Sequence, residues 1–195
     1  MAFALAVLFV VSYFIGTFPS AVMVAKSRGI DITTFGSGNP GASNIARALG
    51  TKFGVLVFAL DAGKGVLAVI LGFIIADRPE AYVCAAAALL GHMFPVQRRF
   101  KGGKGIATGG GILLATNIVT GLVSILVWLA VMKISRKASV ASIAVVPLVP
   151  LLFVLEGTPL WEILTIIALG VLVEIRHVSN IKRLIAGKEH NVGKA

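Results

Sequence analysis

Six long apolar segments account for most of the chain, and short polar stretches separate them. They cover residues 3–25, 53–76, 81–97, 105–132, 138–155 and 159–175. A helix needs about 20 mostly apolar residues to cross a bilayer, and these segments approach or exceed that length. The first segment has no basic stretch before it, which favours a retained span over a cleaved signal. The pattern predicts an all-α integral membrane protein with a single membrane-embedded domain over residues 1–195.

The segment 105–132 decides how many times the chain crosses the membrane. Its 28 uncharged residues suit either one long helix or a hairpin of two short helices. With a hairpin, all sixteen Lys and Arg residues of loops 26–52, 98–104 and 133–137 and of the tail 176–195 face the cytoplasm. The positive-inside rule prefers this arrangement. We therefore predict seven transmembrane helices, with the N-terminus outside and the C-terminus cytoplasmic.

The predicted hairpin turns near Thr116 and Asn117, two residues that suit a turn. Each arm would then have about 12 to 15 residues, too few to cross an unperturbed bilayer. Gly109, Gly110 and Gly111 are expected to permit close helix packing, as small residues do in membrane proteins. The predicted external loops are too short to hold a site, so functional groups are expected on the cytoplasmic side.

Composition agrees with a lipid environment and narrows the function. The chain is 57% hydrophobic and 13% charged, whereas soluble domains carry about 25% charged residues. The net charge of +10 would suggest nucleic-acid binding in a soluble protein. In a membrane protein, Lys and Arg collect in the cytoplasmic loops, which accounts for the net charge. No nucleic-acid partner is therefore expected. Cys84 is the only cysteine and the three histidines have no metal-binding spacing, so no metal site is expected.

The first cytoplasmic loop is rich in glycine and small polar residues. It has the sequence G-S-G-N-P-G-A-S-N from Gly36 to Asn44, and Arg47 follows three residues later. Closely spaced glycines allow consecutive backbone N–H groups to point into one concavity that binds anions. Ser43 or Asn44 is also a candidate cap for a helix that ends at Leu49, whose N-terminus would attract phosphate. The alternative is a flexible, well-capped turn.

The second cytoplasmic loop combines glycine with lysine. It has the sequence G-H-M-F-P-V-Q-R-R-F-K-G-G-K-G over residues 91–105. Lys104 stands between glycines, an arrangement that brings a positive charge to phosphate oxygens over a backbone cradle. No Ser or Thr follows this lysine as in a Walker A motif, so ATP binding is not indicated. Alternatively, Arg98, Arg99 and Lys101 only anchor the loop to anionic lipid.

The C-terminal tail carries a third polar motif, R-H-V-S-N-I-K-R-L-I-A-G-K-E over residues 176–189. His177 and Asn180 are three residues apart and Arg176 and Asn180 are four apart, so each pair shares a helix face. A histidine at a membrane boundary is more often a capping group than a catalyst. The motif alone therefore leaves both roles open.

Two charged residues lie inside the second apolar segment. Asp61 and Lys64 are three residues apart and share a helix face. A charge near the bilayer centre costs roughly 2.5–3.5 kcal/mol on the insertion scale, so such residues are functional candidates. A structural ion pair that fixes helix packing is an equal alternative.

The three motifs together resemble the bacterial acyl-phosphate-dependent glycerol-3-phosphate acyltransferase family. The stretches at 36–44, 91–105 and 176–189 have the family's order and spacing, and the resemblance covers the whole chain. Ser43 stands where Thr is expected, and Pro40 and Glu174 are further departures. None of the three removes an essential polar group.

The resemblance implies transfer of a fatty acyl group from acyl phosphate to the 1-hydroxyl of sn-glycerol 3-phosphate. The products would be lysophosphatidic acid and phosphate, in phospholipid biosynthesis. It implies a multi-pass protein of the bacterial inner membrane whose active site faces the cytoplasm, with membrane lipid around it, no cofactor and no obligate protein partner. The proton acceptor would be His177 or the substrate's own phosphate. Ser142 is expected near glycerol 3-phosphate by family analogy.

The expected site combines the three motifs with the charged pair of the second segment. Catalytic roles are expected for Ser37, Lys104, His177 and Asn180. Substrate binding is expected of Gly36, Gly38, Asn39, Asn44, Arg47, Lys101, Gly102, Gly103, Ser142, Asp61 and Lys64.

Two other functions use the same residues. A transporter or channel for a small phosphorylated anion would use the same glycine-rich loops and intramembrane charges. Such proteins typically have inverted repeats and polar groups at the membrane midplane. This sequence has no detectable inverted repeat, and its polar groups are expected on one face of the membrane. A noncatalytic lipid-binding scaffold leaves three separate Gly, Asn and Lys motifs unexplained.

Overall fold

The computed structural model describes residues 2–192, and every regular element in this range is a helix. A short 3₁₀ helix covers Val96–Arg98. The α-helices of the described range are α1 (Ala2–Thr17), α2 (Ser20–Lys26), α3 (Ala42–Leu49), α4 (Thr51–Ile75), α5 (Arg78–Met93), α6 (Ile106–Thr116), α7 (Ile118–Ser135), α8 (Ala138–Val145), α9 (Leu148–Leu155) and α10 (Leu160–Ile185).

Two apolar segments bend at a proline. Helix α2 begins directly after Pro19, and α9 begins directly after Pro147. Proline has no N–H to donate and its ring clashes with the preceding turn, so one regular helix does not continue through it. The bent pairs cover Phe3–Lys26 and Ala138–Leu155, and each is long and apolar enough to cross a membrane.

The segment 105–132 is divided at the predicted turn. Helix α6 ends at Thr116, α7 begins at Ile118, and the side chain of Asn117 accepts a hydrogen bond from the Thr120 N–H at 3.2 Å. The arms have 11 and 18 residues, so the prediction of two arms of 12 to 15 residues is wrong. Helices α7 and α4 are long enough to cross a membrane, whereas α6 is a shorter apolar helix. The count of seven spans and their orientation stay predictions.

Close backbone contacts join α4 and α6. A Cβ atom at Gly111 would collide with the carbonyl of Ala62, so glycine at this position lets the helices approach. A Cβ at Gly109 or Gly110 would meet no atom within 4 Å. The prediction of close packing is therefore correct for Gly111 and wrong for its two neighbours.

Large apolar side chains cover the outer faces of the helices. Ile74, Ile134 and Leu155 are 77%, 84% and 75% exposed. Exposed apolar surface on this scale is unfavourable in water and suits a lipid solvent.

Helix α3 holds the first loop against α4. Ile45 is fully buried and packs with Ile32 and Val57 in one core cluster. Gly41 precedes the helix, and no side chain caps it. The prediction that Ser43 or Asn44 is the capping residue is therefore wrong, because both lie within the helix.

Candidate active site

The three polar motifs meet around a cavity of about 110 Å³. Helix α3 and its preceding loop form one side, the start of α6 and helix α8 form others, and the C-terminal half of α10 completes the wall. The polar residues that line it are Ser37, Asn39, Ser43, Asn44, Arg47, Asp61, His92, Lys104, Ser139, Ser142, His177, Asn180, Glu189 and His190.

The structure brings nine of the predicted site residues to this cavity and leaves six outside its lining. The nine are Ser37, Asn39, Asn44, Arg47, Asp61, Lys104, Ser142, His177 and Asn180. The six are Gly36, Gly38, Lys64, Lys101, Gly102 and Gly103.

Asn44 organises the first loop. Its side-chain amide donates to the carbonyls of Ile32 at 3.3 Å and Phe35 at 2.9 Å, and its Oδ1 accepts from the Ser37 N–H at 3.3 Å. Arg47 also donates to this oxygen at 3.3 Å. The loop is therefore fixed by its own polar groups before any ligand binds.

The backbone amides of the first loop do not form the predicted anion nest. The Gly38 N–H donates to the Phe35 carbonyl at 2.9 Å, and the Asn39 N–H donates to the Ser37 hydroxyl at 3.4 Å. Gly36 and Gly38 have φ values of 56° and 67°, which glycine adopts at little cost. These glycines shape the loop and orient its side chains.

The predicted cradle at Gly102 and Gly103 is wrong for the same reason. Their N–H groups donate to the carbonyls of Met93 and His92 at 3.1 and 3.0 Å, so these donors are already used. Added Cβ atoms would collide with the end of α5, which explains why both positions are glycine. Arg176 holds the same segment by donating to the carbonyl of Gly102 at 3.0 Å.

Lys101 and Lys104 have different surroundings although they are three residues apart. Lys101 is exposed and lies outside the cavity lining, so its predicted contact with substrate is not supported. Lys104 is partly buried in the cavity wall, and its ammonium donates to the side-chain oxygen of Asn180.

Glu189 connects the tail to the cavity and was not predicted as a site residue. Its carboxylate accepts hydrogen bonds from Asn180 at 2.8 Å, Ser139 at 3.0 Å and Arg183 at 2.8 Å. Burial acts to raise the pKa of Glu189, but these hydrogen bonds outweigh burial and lower it. An ionised Glu189 therefore fixes the amide of Asn180 that faces Lys104.

Positive charge and unused donors surround Lys104 at one side of the cavity, where Arg47, Arg176 and Arg183 lie near its ammonium. Burial, and then the nearby charge of Arg183, lower the pKa of Lys104 to about 8. Within the described part of the chain, Arg47 Nε and one terminal nitrogen of Arg183 are buried without a hydrogen-bond partner. Buried cationic donors of this kind are expected to be satisfied by an anion.

His177 is held in one orientation. It is 3% exposed, and its Nδ1 lies 2.8 Å from the carbonyl oxygen of Val173. A carbonyl only accepts hydrogen bonds, so Nδ1 carries a proton. Nε2 is then the ring nitrogen available to exchange a proton with a bound molecule.

Asp61 and Lys64 form the predicted ion pair, with 2.7 Å between Nζ and Oδ1. The Ser20 hydroxyl donates to Asp61 at 2.9 Å, and Lys64 donates to the Phe18 carbonyl at 2.9 Å. His92 Nδ1 lies 3.2 Å from the Lys64 ammonium. The cluster joins the α1–α2 bend to α4 and α5, and Asp61 and His92 reach the cavity wall.

A second cavity, of about 450 Å³, adjoins the polar one. Its lining is almost entirely apolar and comes from α4, α6, α7, α10 and the bent α8–α9 pair. The lining residues that both cavities share are Ala42, Ser43, Phe58, Gly105, Ile106 and Trp128. The arrangement suits a molecule with a phosphate head and a long apolar chain.

Residues 6–187 match the model of the glycerol-3-phosphate acyltransferase family. The chain belongs to this family. A glycerol-3-phosphate acyltransferase of Aquifex aeolicus is 39% identical over 186 residues, which cover 94% of this chain and 96% of the relative. One from Neisseria meningitidis is 43% identical over 194 residues, with coverages of 94% and 95%.

Solved structures of the acyltransferase PlsY agree with the family assignment. The glycerol 3-phosphate form of this integral membrane enzyme has a TM-score of 0.91 at 39% identity, and the match covers 97% of this chain and 96% of that chain. The lysophosphatidic acid form has a TM-score of 0.88, with coverages of 96% and 95%. The resemblance drawn from the three motifs is thus confirmed, and the described residues of this family member fold into helices that match an integral membrane structure.

Proposed function

We propose that the acyl donor is acyl phosphate and that the acceptor is the 1-hydroxyl of sn-glycerol 3-phosphate, in a bacterial inner membrane. The observation that carries this proposal is the junction of a polar cavity, lined by Arg47 and Lys104 among others, with an apolar cavity. Acyl phosphate has a phosphate group and a long apolar chain, and glycerol 3-phosphate has a phosphate group and the hydroxyl that is acylated. Seven spans with the cytoplasmic side at the polar cavity complete the proposal, in keeping with the distribution of basic residues.

The size and charge of the polar cavity support a small donor head group. A cavity of about 110 Å³ suits phosphate and glycerol groups better than the nucleotide of an acyl-CoA. Arg47 and Lys104 line the cavity, and Arg183 adds positive charge near Lys104. The two carboxylates of the lining are already paired, Asp61 with Lys64 and Glu189 with Arg183. Two phosphates bring up to four negative charges to this site. Neutralisation of this charge in a partly buried site is the main catalytic requirement.

The reaction needs one nucleophilic attack and one proton transfer. The hydroxyl oxygen of glycerol 3-phosphate attacks the carbonyl carbon of the acyl phosphate, and the bond from that carbon to the bridging phosphate oxygen breaks. The electron pair leaves with phosphate, whose charge the Lys104 ammonium stabilises. Positioning of two bound reactants supplies much of the remaining acceleration.

Two groups can take the hydroxyl proton. His177 Nε2 is available because Nδ1 is held by the Val173 carbonyl. A phosphate monoester, with a second pKa near 6, is the other candidate. Replacement of His177 by Gln separates them: turnover within a few-fold of wild type would remove His177 as the obligatory base, whereas a loss of 10²–10⁴-fold is expected for a general base.

Donor identity is tested by comparison of three acyl donors. Purified protein in detergent or lipid mesophase receives glycerol 3-phosphate with palmitoyl phosphate, palmitoyl-CoA or palmitoyl acyl-carrier protein. We expect 1-acylglycerol 3-phosphate with palmitoyl phosphate alone. Equal or faster product formation from either thioester would contradict the proposed donor.

A further inference from the structure

The apolar cavity has open space beside two glycines of α6. Gly109 and Gly110 line this cavity, and a Cβ atom at either position would meet nothing within 4 Å. Gly111 differs, because a Cβ there would collide with α4. Glycine weakens a helix relative to alanine. The presence of glycine at positions 109 and 110 therefore requires an explanation other than helix packing.

The open space beside Gly109 and Gly110 lies between the junction of the two cavities and the level of Leu113. Gly105 lines both cavities and marks their junction. At 1.5 Å per residue, Gly110 lies about 7.5 Å farther along the helix and Leu113 about 12 Å farther. An acyl chain whose head occupies the polar cavity must therefore pass the two glycines before it reaches Leu113.

A polar group on the facing helix lies at the same depth. Gly110 precedes Asn117 by seven residues and Ser124 follows it by seven, so the hairpin brings them to one level. Ser124 lines the cavity, is 5% exposed, and has no hydrogen-bond partner for its hydroxyl within the described residues. Ser124 therefore marks the level of Gly110 on the facing helix, and an acyl chain that passes it offers its hydroxyl no hydrogen bond.

We propose that Gly109 and Gly110 determine which acyl-chain lengths the enzyme accepts, and this rests on the proposed function. The absent side chains leave the middle of the cavity open, so the distal part of a long chain can continue to the level of Leu113. A Cβ atom at either position meets no protein atom within 4 Å, so a large side chain is expected to enter that space. Short-chain donors end before the obstruction and are affected least.

The test compares hexanoyl phosphate and palmitoyl phosphate as donors for Gly110→Leu and Gly109→Leu. Gly63→Leu is the matched control, because Gly63 lies within α4, has open space around its Cβ position and is outside the cavity lining. We expect each α6 variant to lower kcat/KM for palmitoyl phosphate relative to hexanoyl phosphate by about tenfold or more, the equivalent of two buried methylene groups. The KM for glycerol 3-phosphate should stay close to that of wild type.

Each outcome decides one point. The inference is supported if the ratio of kcat/KM for palmitoyl phosphate to kcat/KM for hexanoyl phosphate falls in the α6 variants and is unchanged in Gly63→Leu. Equal effects on both donors, or no change in the ratio, would overturn it while wild-type turnover of palmitoyl phosphate still supported the proposed function. Absence of turnover by folded wild type with either donor would overturn the proposed donor as well.

Discussion

Replacement of Lys104 by Met removes a positive charge from the wall of the polar cavity and keeps most of the side-chain volume. The ammonium donates to the Asn180 side chain and is surrounded by further positive charge from Arg47, Arg176 and Arg183. Loss of one positioned donor to developing charge typically lowers kcat by about 10²–10³-fold. We expect a loss of at least 100-fold in turnover.

The same substitution is not expected to destabilise the protein. Burial lowers the pKa of Lys104 from 10.5 to about 8, so the fold opposes the charged form by roughly 3 kcal/mol at 1.36 kcal/mol per pH unit. Replacement by Met removes this unfavourable burial of charge and so stabilises the fold. The Asn180 oxygen, however, loses a donor, at a cost of about 1–3 kcal/mol for a buried acceptor. The two effects nearly cancel, and the unfolding temperature should stay the same or rise.

The assay pairs phosphate release with thermal unfolding of the purified variant in detergent. Lys101→Met is the control, since this lysine is exposed in the same loop and should retain activity within about twofold. Activity of Lys104→Met within a few-fold of wild type would refute the assigned role. A fall in unfolding temperature that accounts for the lost activity would refute the separation of function from stability.

Four further outcomes follow from the structure. The charged form of Lys104 predominates below its pKa of about 8, so kcat/KM should fall as the pH rises through 8, and this fall should be absent in Lys104→Arg, whose guanidinium stays charged. Glu189→Gln weakens three hydrogen bonds, one of them to Asn180; turnover of folded protein should fall about 10- to 100-fold, and unchanged turnover would remove its positioning role. Glu162→Gln breaks the ion pair between the buried Glu162 and Arg78, whose side chain is 39% exposed; the free energy of unfolding should fall by roughly 2–3 kcal/mol, with the specific activity of folded enzyme retained. The double variant Asp61→Asn and Lys64→Met should lower the unfolding temperature, and lost turnover in well-folded protein would instead support a substrate contact.

The membrane character and much of the site were predictable from the sequence, because both depend on local patterns. Hydropathy and charge located the apolar segments, and the turn residues located the break at Asn117. The glycine-flanked Lys104 and the helical spacing of His177 and Asn180 predicted residues that line one cavity. These signals do not depend on which distant segments pack together.

Other features depend on tertiary contacts that a linear pattern does not contain. The amides of Gly102 and Gly103 are used by carbonyls at the end of α5, so glycine there serves packing. Glu189 becomes a cavity residue only because the tail folds back onto α8 and α10. Its position at the end of the third motif, in a chain with few carboxylates, was the one available signal. His92 reaches the cavity through its contact with the charged pair of α4.

We propose that one cavity brings acyl phosphate and glycerol 3-phosphate together for direct acyl transfer. The most direct measurement is the stoichiometry of the products formed by purified wild-type protein from palmitoyl phosphate and labelled glycerol 3-phosphate. We expect one phosphate to be released for each lysophosphatidic acid formed, and neither product to form when one substrate is omitted. Phosphate release without glycerol 3-phosphate, or lysophosphatidic acid without matching phosphate, would contradict it.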